Sequence, residues 1–411
     1  MATTKKPSLA QVLAGAQKKY DIKAGAMSSI AEDVQVIPSN VIALDAATGV
    51  WGLPLGRSVE LYGPPSCGKT TVALHTAAEL QRIIKEGGDP ERGISPTDKI
   101  AYFDYEYAMD PSYSRTLGFD PDDEETCVFA QPDFLETGAD LMIEMIESGE
   151  VRLVIIDSIA GMTPKSIEEN SVGKSLPAVQ AKLLTTLGQK LNPILAKNNC
   201  LLIYLNHSKE VMAMGGYGPP QTSTPGGKAV KYFASMRVEF TPLKKHKSKF
   251  KDPVTQEEVE LPTSTDVKIN ITKNKVGPPF KRGVARVRYG RGFDNFWTAL
   301  QALLAAKKIV YSAGSYYFDR FDEEDAEQAA PAWMNRAKTG KNSERPAIRG
   351  EDNVFKMGDA HPEWRAFLIE RAREIIHANL EVLEEVQENE DEEASGLDIE
   401  PASGQTKRVS L

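Results

Sequence analysis

Residues 63–70 read Gly63-Pro64-Pro65-Ser66-Cys67-Gly68-Lys69-Thr70, the G-x-x-x-x-G-K-[ST] spacing of a phosphate-binding loop. Such a loop works only between a strand and a helix N-terminus, where backbone N–H groups converge on an anion and the helix dipole favours negative charge. Both neighbours are legible. Ser58-Val59-Glu60-Leu61-Tyr62 predicts a short strand, and Thr70 to Lys85 places Val72, Leu74, Ala77, Ala78, Leu80 and Ile84 at helical spacing. Gly63 and Gly68 supply the conformations and clearance that close backbone approach requires. Lys69 is expected to reach the β- and γ-phosphates, Thr70 to ligate Mg²⁺ and Thr71 to lie near the α-phosphate. The motif therefore predicts binding of a nucleoside triphosphate with Mg²⁺.

Three further apolar runs end in polar groups. Lys99 to Phe103 delivers Asp104, Tyr105 and Glu106; Arg152 to Ile156 ends in Asp157; Leu201 to Leu205 ends in Asn206 and His207. Strands alternating with helices, with polar groups at their C-terminal ends, predict an α/β fold: a mainly parallel sheet flanked by helices, its ligand along one edge. A phosphate loop needs a second acid to position Mg²⁺ or its water, and Asp157 is the candidate, because a buried acid without such a task is costly. Glu106, on the strand expected beside that of Asp157, is placed to polarise an attacking water.

The chain has 411 residues and no apolar stretch approaching a membrane span. The start, Met-Ala-Thr-Thr-Lys-Lys, lacks the apolar core of a secretion signal, and a cytoplasmic protein without membrane contact is expected. Cys67, Cys127 and Cys200 are odd in number and unpaired in spacing, which argues against a disulfide framework or zinc site. Cys67 beside the phosphates is either a thiol sensitised by the helix N-terminus or, as the simpler expectation, a small residue that fits. The net charge of -9 is a tail property: residues 381–400 carry ten acidic and no basic side chains. Such a block is expected to be disordered and to compete with an anionic ligand.

These patterns predict four segments: a helix and strand over 1–42, an ATPase core over 43–292, a smaller α+β domain over 293–380 and an acidic tail over 381–411. The first helix, from Ser8 to Tyr20, and the strand Val34 to Pro38 are expected to pack either on their own core or on a neighbouring subunit. A polar insertion spans Asp319 to Gly350. Basic clusters at Lys244, Lys245, Lys247, Lys249 and Lys251, and at Arg336, Lys338, Lys341, Arg345 and Arg349, are solvated faces or sites of duplex capture.

Taken together, residues 58–71, Ala101 to Tyr113, Val154 to Lys165, Leu202 to Asn206, Gly226 to Tyr232 and Thr272-Lys273-Asn274-Lys275 resemble the RecA recombinases, in order along the chain from about 8 to 315. Several features, His207 among them, look closer to the phage recombinases of the UvsX type. The resemblance implies a DNA-dependent ATPase that forms a helical filament on single-stranded DNA and exchanges strands with homologous duplex DNA, aided by a single-strand-binding protein and a loader. It places Glu106 on the catalytic glutamate, Asp157 on the magnesium-site aspartate, Asp110 and Tyr113 on adenine contacts, and Lys273 and Lys275 on lysines that reach a neighbouring subunit's nucleotide. Two DNA-holding segments correspond to about 164–174 and 208–227. The second offers Lys209, Met212, Met214, Tyr217, Gly226 and Gly227, with Lys228 directly after it, and its stretch from Met212 to Pro220 has a composition not expected to hold a regular element.

The chain departs from the cellular pattern at Pro65, Cys67 and His207, the last standing where cellular members carry Gln and expected to sense the γ-phosphate. A ring-shaped helicase or clock-type ATPase shares the same core, and a filament protein that binds ATP without hydrolysing it is a third reading. Tyr113, the lysine pair and the N-terminal segment favour the recombinase over the ring. Lys69, Glu106 and Asp157 speak against the non-hydrolysing form.

Overall fold

The computed structural model describes residues 8–20, 34–167, 177–211, 221–226, 228–251, 256–338 and 344–395. Its backbone falls into two units, 1–35 and 36–411. The first holds α1 (Leu9–Tyr20). A reciprocal cap starts this helix, Gln11 N donating to Ser8 Oγ and Ser8 N to Gln11 Oε1. Leu9 and Val12 on its apolar face are exposed.

The second unit begins with β1 (Val36–Ile37), α2 (Ile42–Thr48), β2 (Leu53–Pro54), β3 (Ser58–Gly63) and α3 (Lys69–Lys85). The expected strand at 34–38 pairs antiparallel with β2 of its own chain, Val36 opposite Pro54 and Ile37 opposite Leu53. Ile37, Val41, Ile42 and Leu44 are buried, so in this structure the stretch from Val36 to residue 42 is part of the core.

Next come β4 (Lys99–Asp104), α4 (Pro111–Thr116), β5 (Cys127–Ala130), α5 (Leu135–Glu147), β6 (Val151–Asp157), α6 (Pro177–Lys197) and β7 (Leu201–His207). β8 (Lys209–Val211), β9 (Gln221–Ser223), α7 (Lys228–Phe233), β10 (Met236–Lys251), β11 (Glu258–Asn274), β12 (Arg282–Arg288) and β13 (Gly292–Phe293) follow. One sheet of nine strands runs in the order β13-β12-β11-β10-β3-β7-β6-β4-β5. From β10 to β5 every neighbouring pair is parallel; β11, β12 and β13 extend it antiparallel.

The central strands are apolar on both faces because helices cover both. Along β6, Leu153 and Ile155 enter one core while Val154 and Ile156 enter the other. Adjacent β7 sorts Leu201 and Ile203 from Leu202 and Tyr204 in the same way. α3 packs the first core, and α5 and α6 the second. Each such side chain contributes about 1.5–3 kcal/mol when fully buried. This period of two fixes the register, and register lines up the polar strand ends: Gly63 lies opposite His207, and Asp104 opposite Asp157.

β10 and β11 run past the sheet as an arm carrying Lys244, Lys245, Lys247, Lys249 and Lys251. Lys247 pairs with Glu260 and Lys249 with Glu258 across the hairpin, which offsets part of that cluster's charge.

After α8 (Asn295–Ala305), the strands β14 (Val310–Ser312), β15 (Ser315–Tyr317), β16 (Arg336–Lys338) and β17 (Glu344–Arg349) form a four-stranded sheet in the order β14-β15-β17-β16. α9 (Ala326–Ala329) precedes β16; α10 (Glu351–Ala360) and α11 (Pro362–Ser395) close the fold. Phe296, Leu300, Phe318, Trp364 and Leu368 form a separate core here. The insertion 319–350 is integral to this subdomain, because it supplies β16, β17 and the buried Met334. In its basic cluster Arg345 is committed to Asp319, while Lys341 lies outside the described residues.

The α11 backbone continues to Ser395, past residue 380 and into the acidic block expected to be disordered. Its Glu, Leu and Ala residues are strong helix formers. Residues 396–411 lie outside the described residues.

Candidate nucleotide site

The loop 63–68 leaves β3 and enters α3 at Gly68, whose φ of 92° is left-handed. A Cβ there would meet Phe293 Cζ at 2.8 Å, and one on Gly63 would meet the Phe240 carbonyl oxygen at 2.4 Å. β10 and β13 therefore press on the loop from outside and leave room only for glycine. Gly68→Ala is expected to cost about 2 kcal/mol from the left-handed backbone alone, with further loss from the clash. The check is a lower melting temperature together with weakened ATP binding by titration.

Within the loop, Pro64, Pro65 and Ser66 bridge the two glycines. Cys67 is buried, and burial pushes its thiol up from the ordinary range. Burial thus speaks against a sensitised thiol and for the simpler expectation of a small residue that fits. Lys69 donates to the carbonyls of Gly63 (3.1 Å) and Pro64 (2.8 Å), with its ammonium pKa lowered by burial.

Thr70 and Asp157 come together from α3 and β6, the Thr70 hydroxyl donating to Asp157 Oδ2 at 3.3 Å. Tyr102, buried on β4, donates to the same oxygen at 2.8 Å. Burial pushes the Asp157 carboxyl up to about 6, and the hydrogen bond from Tyr102 pulls the other way. One hydroxyl and one acid whose charge is costly to bury suit a hard divalent cation that takes its remaining ligands from phosphate and water. Among the described residues no group of three His, Cys, Asp or Glu side chains forms a cage for a metal.

Glu106 follows the end of β4. Asp104 is buried and holds this turn by accepting from the backbone N–H of Glu106, Ala108 and Met109 and from Gln131 Nε2. Glu106 Oε1 accepts from the Ser158 hydroxyl and lies 3.2 Å from His207 Nε2. The carboxylate is about one third accessible, as is the imidazole. The buried atoms Asn206 Oδ1, His207 Nδ1 and Thr224 Oγ1 have no hydrogen-bond partner among the described residues. Unpaired polar atoms of this kind cost about 1–3 kcal/mol each until a ligand or water satisfies them, which marks the end of β7 as a place where something polar binds.

At the expected adenine contacts, Asp110 Oδ1 caps α4 by accepting from Ser112 N and Tyr113 N. The Tyr113 hydroxyl bonds to that of Thr71 at 3.0 Å, tying the expected base contact to the expected α-phosphate contact.

Lys273 and Lys275 do not join this cluster. Lys273 lies at the end of β11 and Lys275 just past it, where Asn274 lies opposite Met236 of β10, and Met236 lies opposite Val59 at the start of β3. The phosphate loop leaves from the other end of that strand, roughly 13 Å further on at strand rise. Lys273 donates to the carbonyls of Lys231 (2.8 Å) and Tyr232 (3.0 Å) at the end of α7. Desolvation, with Lys275 and Arg237 nearby, brings its pKa down to about 8.

Of the DNA-contact candidates, Met212, Met214, Tyr217 and Gly227 lie outside the described residues, as do the side chains of Lys209 and Lys228. Gly226 is described, buried, and left-handed at φ 80°. Within 208–227, β8 pairs antiparallel with β9, while the Met-, Gly- and Pro-rich stretch 212–220 between them, not expected to hold a regular element, lies outside the described residues. A two-strand ladder needs only backbone groups, so side-chain composition did not forecast it.

Sequence reasoning missed Tyr102, Asp104 and Ser158 as members of the site, although Asp104 lies two residues before Glu106 and Ser158 directly follows Asp157. It also missed a buried network. Glu60 is fully buried, paired with Arg237 at 2.5 Å and accepting from Asn206 Nδ2 at 2.9 Å. Arg237 lies over the Tyr62 ring, whose hydroxyl reaches Thr272 beside Lys273. An unbroken run of contacts thus joins the end of β7 to the lysine edge.

The RecA N-terminal domain family model matches residues 8–294. Protein RecA of Deinococcus radiodurans is 37% identical over 296 residues, covering 72% of this chain and 73% of that one. Protein RecA of Lactobacillus delbrueckii subsp. bulgaricus is 33% identical over 393 residues, covering 94% and 91%. Protein RecA of Fusobacterium nucleatum is 34% identical over 312 residues, covering 76% and 74%. With a phosphate loop, two strand-end acids and an α/β sheet already in place, these matches across most of the chain show that it belongs to the RecA family of DNA-dependent ATPases that act in recombination and strand exchange.

Proposed function

We propose that this protein binds ATP and Mg²⁺ between adjoining protomers, and that this shared site fastens a helical filament onto single-stranded DNA for pairing with homologous duplex. The observation that carries the reading is the placement of Lys273 and Lys275 at the sheet edge opposite their own phosphate loop. They lie too far along the sheet to serve their own nucleotide, and Lys273, held by the carbonyls of Lys231 and Tyr232, is placed to turn toward a neighbour's.

Gly63 to Thr71 cradle the phosphates, and Asp110 and Tyr113 hold the adenine. Thr70 and Asp157 position Mg²⁺, which neutralises charge on the β- and γ-phosphates when bound. Glu106 takes the proton of the attacking water as its oxygen bonds to the γ-phosphorus and the bond to the β-phosphate oxygen breaks, releasing ADP. His207, within reach of Glu106, reads the γ-phosphate and passes its state into the segment 208–227, where Lys209, Met212, Met214, Tyr217, Gly226, Gly227 and Lys228 contact DNA. The contacts through Asn206, Glu60 and Arg237 connect that reading to the lysine edge. Leu9 and Val12, exposed on α1, suit an apolar contact with a neighbouring subunit. A single-strand-binding protein and a loader assist assembly. His207 in place of Gln aligns the chain with the phage type, and its buried, unpaired cysteines suit a cytoplasmic setting.

Electron microscopy with a non-hydrolysable ATP analogue and single-stranded DNA tests the reading. Helical filaments together with DNA-stimulated phosphate release support it; closed rings favour the helicase, and filaments without hydrolysis favour a structural role for ATP.

A further inference from the structure

The C-terminal subdomain contains a cleft of about 850 Å³ between the segment around α9 and the start of α11. Trp333, Trp364 and Phe367 line it, with His361 on one wall and Glu327 and Glu363 at the rim. The indoles are fixed in place. Trp333 stacks flat on His361, with ring centroids 4.0 Å apart, and stands edge-on to Trp364 at 5.4 Å. Trp364 Nε1 donates to the Ala329 carbonyl at 3.1 Å. The volume exceeds one side chain and suits several residues of a peptide.

Charge decides what can enter. Glu327 and Glu363 are exposed and form no ion pair among the described residues. The arginines nearest on α11 are committed elsewhere, Arg365 to Asp359 and Arg371 to Asp325 and Glu374. A rim of carboxylates around the open part of Trp333 repels phosphate and attracts a cation, which gains from the aromatic quadrupole as well as from the acids. The cleft is therefore built against the ligand that the rest of the protein binds.

We propose that this cleft docks a basic segment of a partner protein, seating a Lys or Arg side chain against the half-buried Trp333, which Trp364 holds from the core, with Glu327 and Glu363 facing its charge. The subdomain has its own core, and none of the residues lining the cleft belongs to the nucleotide site. The 319–350 insertion, which supplies Trp333, is what creates the surface.

The test pans a random dodecapeptide display library on the immobilised full chain and titrates the best synthetic peptide by fluorescence anisotropy. Enrichment of Arg- and Lys-containing sequences is expected. Trp333→Ala should weaken the selected peptide about tenfold, and the surface pair Glu327→Gln with Glu363→Gln about threefold, an effect that fades with added salt. The glutamate variant keeps the aromatic floor, and unchanged ATP hydrolysis in it shows an intact fold. Peptides without basic residues, or binding indifferent to the glutamate variant, overturn the proposal. Displacement of the peptide by single-stranded DNA reassigns the cleft to nucleic acid. Displacement by a synthetic peptide spanning Gln405 to Leu411, which carries Lys407 and Arg408, reassigns it to the chain's own end. Either displacement overturns the partner assignment.

Discussion

Glu106→Gln is expected to lower DNA-stimulated ATP hydrolysis by about 10²–10⁴-fold, the usual contribution of a positioned general base, while ATP-dependent assembly on single-stranded DNA survives. The amide keeps the length of the side chain and an oxygen that can accept from Ser158, so the turn organised by Asp104 should hold. What it loses is the ability to take a proton from water. Because ATP binding rests on the phosphate loop and the Thr70–Asp157 pair, the variant should load nucleotide normally and stall in the assembled form. Phosphate release and filament formation by microscopy, measured on the same sample, separate the two effects. A variant that hydrolyses ATP at the parent rate would move the base role to another group. Ser158→Ala should give a smaller loss, since it removes one hydrogen bond to the carboxylate and not the carboxylate itself.

How much of this was legible beforehand follows from the range of each interaction. The loop from Gly63 to Thr70 and the strand-end acids are local patterns, and strand period fixed which side of the sheet each neighbour faces. Asp157 and Glu106 could be paired from sequence because adjacent parallel strands bring their ends together. Tyr102 could not be placed the same way. Its hydroxyl meets Asp157 only through the register of β4 on β6, and in the sequence it reads as one more apolar residue of a buried strand. Glu60 is similar: an acid inside a strand looks like an edge position until Arg237 arrives from a strand far along the chain. The partner of the strand at 34–38 is not legible in the sequence, because alternation marks a strand without saying what it pairs with. The cleft at Trp333 was hidden inside a segment whose polar composition resembles a loop, although its few aromatic residues fold into the subdomain core.

Lys273→Ala combined with Lys275→Ala is expected to reduce turnover on single-stranded DNA by about 10³-fold, the low end for trans cations at a transferring phosphate, and to abolish ATP-driven assembly. Nucleotide binding to the isolated protomer should persist, since neither lysine lies near its own phosphate loop. Mixing gives the sharper result. A Lys69→Ala protomer retains its lysine edge and the double variant retains its phosphate loop, so blending the two inactive proteins should restore activity at interfaces where the intact halves meet. Recovery on mixing is the signature of a shared site; two silent proteins that stay silent would end that reading. The pH dependence follows from the same placement. In the free protomer the Lys273 pKa is brought down to about 8, and a neighbour's phosphate would raise it, so on the proposed reading assembly should hold below about pH 8 and weaken as pH rises above it. Lys273→Arg, whose guanidinium stays charged throughout, should flatten that decline. A decline of the same steepness in the arginine variant would place the titrating group elsewhere, while the loss in the double alanine variant would still locate the cations at the subunit junction.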